Sequence, residues 1–133
     1  MKKLLLIVLC LTLLFSSTSC GIRYMSSYKA LGLIRSEMGD RGSAKFSYLD
    51  GTLVLKLKMD GEGLENSIGC KASLEEGEIN VYYDWIGVKE LLFNLKAGES
   101  IDESRGYIES GSVYIIIETV TPAKGSVEIE LRK

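Results

Sequence analysis

The chain has 133 residues, 46% of them hydrophobic, with 16 basic against 18 acidic side chains, no histidine, three cysteines and one proline. That length suits one compact domain, and a net charge of −2 without a basic run excludes recognition of a phosphate backbone, so no nucleic-acid partner is expected. The lack of histidine excludes Ser-His-Asp and Cys-His catalysis and removes the commonest transition-metal ligand, so no cofactor or metal is expected either.

In chain order, Met1-Lys2-Lys3 is a short positive start, and residues 4–15 form an apolar run broken only by Cys10 and Thr12. A helix of that length covers about 18 Å at ~1.5 Å per residue, against a hydrocarbon core of about 30 Å. It is too short to span a bilayer and the right size for the core of an export signal. Thr18-Ser19-Cys20-Gly21 then resembles the lipobox of bacterial lipoproteins, with Ser17 standing where that family favours an aliphatic residue. The resemblance implies cleavage before Cys20, lipid on the Cys20 thiol, and a mature chain held outside the cytoplasm on a bacterial membrane. Residues 1–19 are then a signal peptide with a signal helix, and residues 20–42 an anchor-proximal segment. Loss of Lys2 and Lys3 leaves the mature chain mildly acidic, so membrane contact is expected from lipid and not from charge.

Residues 21–42 carry Ile22, Tyr24, Met25, Tyr28, Leu31, Leu33 and Ile34, more apolar surface than a solvated tether should hold. Packing on the domain is expected, either as an added strand around Ile22, Tyr24 and Tyr28 or as a helical turn bearing Leu31 and Ile34.

From Ser43 onward, strict alternation sets the pattern. Ser43 to Leu49 ends at Asp50-Gly51, a strong hairpin signal. Thr52 to Asp60 puts Leu53, Leu55, Leu57 and Met59 on one face, opposite Lys56 and Lys58. After Gly61-Glu62-Gly63, the next strand aligns Ile68, Cys70, Ala72 and Leu74. Glu75-Glu76-Gly77 reads as a turn into Ile79, Val81 and Tyr83, and Trp85-Ile86-Gly87 as the turn after it. Leu91, Phe93 and Leu95 are expected inward, followed by a loop at 97–100 and a weak strand around Tyr107. Ser112 to Val120, with Ile115-Ile116-Ile117, reads as a central strand covered on both faces. A loop at 121–125 leads to Val127, Ile129 and Leu131 inward, and the outward Glu128 and Glu130 suggest a protected edge. The expected fold is all-β: a single antiparallel β-sandwich over 43–133, jelly-roll or immunoglobulin-like, with seven or eight strands. Its segments Glu76-Gly77-Glu78-Ile79, Gly111 to Ile115 and Ala123 to Val127 are similar to small secreted β-sandwich modules of bacterial lipoproteins. That likeness implies a cell-surface setting and no particular ligand.

Chemistry is sparse. Cys70 alternates with inward residues and reads as a small buried hydrophobe. Asp60, Glu62 and Glu65 lack the residue order of an EF-hand calcium loop. Tyr82, Asp84 and Trp85 at a strand end are the candidate binding surface, since aromatics beside a carboxylate suit sugar stacking or docking of a protein partner; against this, a lone tryptophan in a small sandwich usually packs at the core. The reading is therefore a non-enzymatic binding or structural module of the cell envelope, without catalytic residues, whose partner is an envelope protein or polysaccharide. The alternative is a small hydrolase using carboxylates alone, drawn from Asp84, Asp102, Glu103 and Glu109.

Overall fold

Alternating apolar positions do build strands, but three of those strands run far past the breaks that the turn-forming residues suggest. The structure, a computed structural model, describes residues 24–59, 66–108 and 111–132. Seven strands follow in order: β1 (Ser27–Leu31), β2 (Ile34–Met38), β3 (Arg41–Met59), β4 (Asn66–Asp84), β5 (Lys89–Lys96), β6 (Ser100–Ile108) and β7 (Gly111–Arg132). All pair antiparallel in one sheet of order β1-β3-β7-β4-β5, with β2 also on β3 and β6 also on β4.

A straight strand of 19 residues, the length of β3 and of β4, is about 60 Å long at ~3.3 Å per residue, too long for a small domain. Each long strand is creased instead. The β3–β7 register shifts between Phe46 and Thr52, and the β4–β7 register shifts between Leu74 and Ile79. These irregularities fold the sheet over itself. Layer one contains β2, the first part of β3, the last part of β7, the first part of β4, and β6. Layer two contains β1, the rest of β3, the first part of β7, the rest of β4, and β5. A Cβ on Gly42 in layer one would lie 2.9 Å from Leu57 Cδ2 in layer two, which shows the two halves of β3 stacked face to face.

The expected all-β sandwich is present, as two layers cut from one folded sheet. Asp50-Gly51, Glu75-Glu76-Gly77 and the 121–125 segment are creases within continuous strands, not hairpins or loops. Gly77 shows why glycine stands at a crease: its φ is +83°, and a Cβ there would meet the Pro122 carbonyl oxygen at 2.2 Å.

One core fills the space between the layers. Phe46, Leu53, Leu55 and Leu57 of β3 meet Ile68, Cys70, Ile79 and Val81 of β4, and Val113, Ile115, Val127 and Ile129 of β7. Strand β7 lies at the centre of the order, and Ile115, Ile116 and Ile117 are all buried, as their unbroken run implied. Three expectations need correction. Glu128 and Glu130 belong to this central strand and mark no edge. Leu91 points outward and Leu92 inward, because the β4–β5 register slips between Val81 and Tyr82. Leu31 and Ile34 lie in strands with exposed side chains, not on a helical turn. The sheet begins at β1 and β2, within the 20–42 segment. The signal helix over 1–19, Cys20, Asp60, Glu62, Glu65 and Glu109 fall outside the described residues.

Candidate functional site

Alternation along β4 divides the three candidate residues between two surfaces. Tyr82 and Asp84 point outward from layer two; Trp85 follows on the opposite side. The Asp84 side chain is only 7% exposed despite its outward position. Its Oδ1 accepts the Gly87 N–H at 2.7 Å and its Oδ2 accepts the Tyr24 hydroxyl at 2.5 Å. The carboxylate thus closes the turn at 85–88 and ties the N-terminal segment to the domain. The Tyr24 ring lies 5.4 Å from Tyr114 at 58°, and its hydroxyl is pushed up to about 12, first by the hydrogen bond to Asp84, then by burial and the Asp84 charge. Tyr82 is half-buried, with the Lys89 ammonium 4.3 Å above its ring. Lys89 also pairs with Glu118 at 2.6 Å. Trp85 packs against the core cluster and meets Tyr107 edge-on at 6.3 Å and 83°. Tyr82 and Trp85 therefore do not share one patch.

The carboxylates of the hydrolase alternative are scattered. Asp84 is on the outer face of layer two, while Asp102 faces outward from layer one, opposite Lys71 in register. Glu103 lies opposite Cys70 and pairs with Arg105. No two of these described three face each other. Burial pushes the Cys70 thiol up to about 11, so it stays protonated near neutral pH and is no nucleophile. Among the described residues no group of His, Cys, Asp or Glu is arranged to hold a metal ion.

A different surface is shaped to receive something. The outer face of layer one carries a shallow depression of about 560 Å³, and a second of about 300 Å³ adjoins it through Lys71 and Glu128. Register places Ser43, Glu128, Lys71 and Asp102 in one row across β3, β7, β4 and β6, with Arg41, Glu130, Gly69 and Ser104 in the row beside it. Arg41 pairs with Glu130 at 3.0 Å, and Arg132 Nη1 donates to Ser104 Oγ at 3.0 Å. Arg132 lies flat over residue 69, where a Cβ would stand 2.4 Å from its Nε; only glycine lets the guanidinium lie against the sheet. The result is an open polar shelf. Its floor of serine and glycine leaves room for a chain, while carboxylates accept and Lys71 and the arginines donate hydrogen bonds along it.

No protein-family model matches the chain, and none of the curated proteins matches it in sequence. Among solved structures it is similar to variants of a family 29 carbohydrate-binding module. One has 12% identity and a TM-score of 0.43 over 86% of this chain and 79% of that chain. Another, complexed with cellulohexaose, has 11% identity and a TM-score of 0.44 over 86% and 84%. At scores of this size neither ligand nor site residues carry over.

Sequence reasoning singled out the aromatic strand end and missed the shelf. Its residues come from five strands, and what joins them is register, which alternation alone does not supply. One signal was present: Ser43, Lys71, Ser73, Ser126 and Glu128 all occupy the polar phase of their strands. Tyr24 also escaped notice as the partner of Asp84, a contact that spans 60 positions in sequence.

Proposed function

We propose that this chain is a lipoprotein of the bacterial cell envelope, held on a membrane by lipid at Cys20, and that it acts as a non-enzymatic binding module for an envelope polysaccharide. The observation that carries the binding role is the polar shelf on the outer face of layer one, about 560 Å³ and continued by its neighbour. Hydroxyls, carboxylates of Glu128 and Asp102, and the cations of Lys71 and Arg132 alternate along it, which matches the donor and acceptor pattern of a polyhydroxylated chain. An open shelf excludes little water, which suits holding a ligand better than hydrolysing it. The anchor is supported by the apolar run over 4–15 and the Thr18-Ser19-Cys20-Gly21 segment.

Glycan arrays of neutral and anionic oligosaccharides, read with the purified mature chain, test the ligand class. Retention of an oligosaccharide that weakens about tenfold or more in Lys71→Ala is the expected result, the loss of one charge-assisted hydrogen bond. Blank arrays together with capture of an envelope protein would replace the polysaccharide, and blank results in both would end the binding role. For the anchor, Cys20→Ala should still be exported yet take up no labelled fatty acid; a variant as firmly membrane-bound as the parent would remove lipid as the tether.

A further inference from the structure

The turn between β4 and β5 puts apolar side chains where turns ordinarily carry polar ones. Asp84 and Gly87 suffice to make it, through the Asp84 Oδ1 to Gly87 N–H bond, so the backbone needs neither Ile86 nor Val88. Ile86 is nevertheless 70% exposed and Val88 55%. Tyr107 is exposed beside the Trp85 ring, which makes one apolar tip at this end of the sandwich. Such a cluster marks a surface that meets something apolar.

The tether says what that is. Tyr24 is held by Asp84 at the base of this same turn. Only three residues lie between Cys20 and Tyr24, so four chain steps span at most about 14 Å when extended. Lipid on Cys20 therefore enters a bilayer close to the tip. Beside the tip lie Lys89, directly after Val88 and paired with Glu118, and Lys56, 5.8 Å above the Tyr114 ring. Amphipathic tryptophan and tyrosine favour the headgroup level, and lysines there meet phosphates.

Resting on the lipid-anchor reading, we propose that the 85–88 tip is a second membrane contact. Ile86 and Val88 enter the boundary between headgroups and acyl chains beside the Cys20 lipid, with Trp85 and Tyr107 at the interface. The contact adds to the hold of the lipid and seats the domain on the bilayer in one orientation.

Trp85 is the sole tryptophan of the chain, so it reports depth directly. The mature protein is reconstituted into vesicles of phosphatidylethanolamine and phosphatidylglycerol, some with brominated acyl chains, and its intact mass and flotation are measured alongside fluorescence. The expected result is a blue-shifted Trp85 emission that the brominated lipid quenches, with at least half of the quenching lost in an Ile86→Ser, Val88→Ser double variant that still floats and melts like the parent. A protein that bears acyl mass and floats, yet shows no quenching, overturns the tip contact and leaves the anchor standing. Equal quenching in parent and double variant also overturns it, since the tether alone would then bring Trp85 near the lipid. A protein without acyl mass that fails to float removes the anchor reading and the tip contact with it.

Discussion

Tyr24 shows how one side chain joins the N-terminal segment to the sandwich. Its hydroxyl donates to a carboxylate that is nearly buried, and among the described residues Asp84 keeps only the Gly87 N–H if that donor is lost. Tyr24→Phe should therefore cost about 1–2 kcal/mol in a denaturant titration, the range for a hydrogen bond to a charged group that is partly exposed. The pH dependence has a definite sign. The folded hydroxyl titrates at about 12, above its ordinary 10.0, because the hydrogen bond and the Asp84 charge favour the protonated form. The stabilisation is thus complete below pH 10 and lost as pH rises from there through 12. A phenolate absorbance titration should show late-titrating tyrosines, since Tyr83 is also raised, chiefly by burial and then by its bond to Glu90. Tyr24→Phe should remove part of that late phase. An unchanged late phase would mean that the Tyr24 to Asp84 bond does not persist in solution.

Two devices at the level of strands make a folded sheet from chain segments that would otherwise be too long and too open. The first is the crease. Ala at residue 77 would meet both a positive φ and the Pro122 carbonyl, so Gly77→Ala should destabilise by about 2–4 kcal/mol, read as a lowered melting temperature with unchanged strand content. The second is the sealed edge. Arg35 and Glu37 on β2 lie opposite Ala44 and Gly42, and Glu103 and Arg105 on β6 lie opposite Cys70 and Ile68, all at positions whose phase points inward. At an edge that phase looks across to the other layer. Arg35 donates to the Val54 carbonyl at 3.0 Å and Arg105 to the Leu92 carbonyl at 3.0 Å, while each arginine pairs with the glutamate two residues away. Charged residues turned inward on short edge strands, occupying backbone acceptors of the neighbouring layer, discourage strand addition by another molecule. Arg105→Ala should cost only about 1 kcal/mol, because the pair is partly exposed, yet raise concentration-dependent association in sedimentation. These devices explain what the sequence made legible. Inward phases at Leu53, Ile68, Ile79 and Val127 were readable because burial enforces a period of two. Gly51, Gly77 and Pro122 were readable as bends, but a local bend signal is the same for a hairpin and for a crease in a continuous strand. Which it is depends on distant partners, and so do the central position of Glu128 and the slip that exchanges Leu91 for Leu92.

At the scale of the molecule, the shelf and the apolar tip occupy different parts of the fold. The shelf is the outer face of layer one, whereas Tyr24 and Asp84 tie the N-terminal segment to layer two. On the proposed tip contact, the membrane would meet one end of the sandwich and leave the outer face of layer one, with its shelf, open to the proposed polysaccharide. The same continuity that shapes the fold governs how it comes apart. Strands β3, β4 and β7 each pass through both layers, so neither layer can be lost without stripping hydrogen bonds from the other. Unfolding should be a single cooperative transition. Two native probes sit in the two halves: Cys70, fully buried in layer one, and Trp85, at the end of layer two. On the proposed lipoprotein reading, in which Cys10 is cleaved away and Cys20 acylated, Cys70 is the one free thiol left. Burial holds it near 11 when folded, and exposure returns it towards the ordinary thiol range, so modification by a thiol reagent accelerates only when the core opens. Across a urea series, Cys70 modification and Trp85 emission should trace one curve with one midpoint. Separated midpoints would show that the layers open independently, which a sheet creased from continuous strands does not allow.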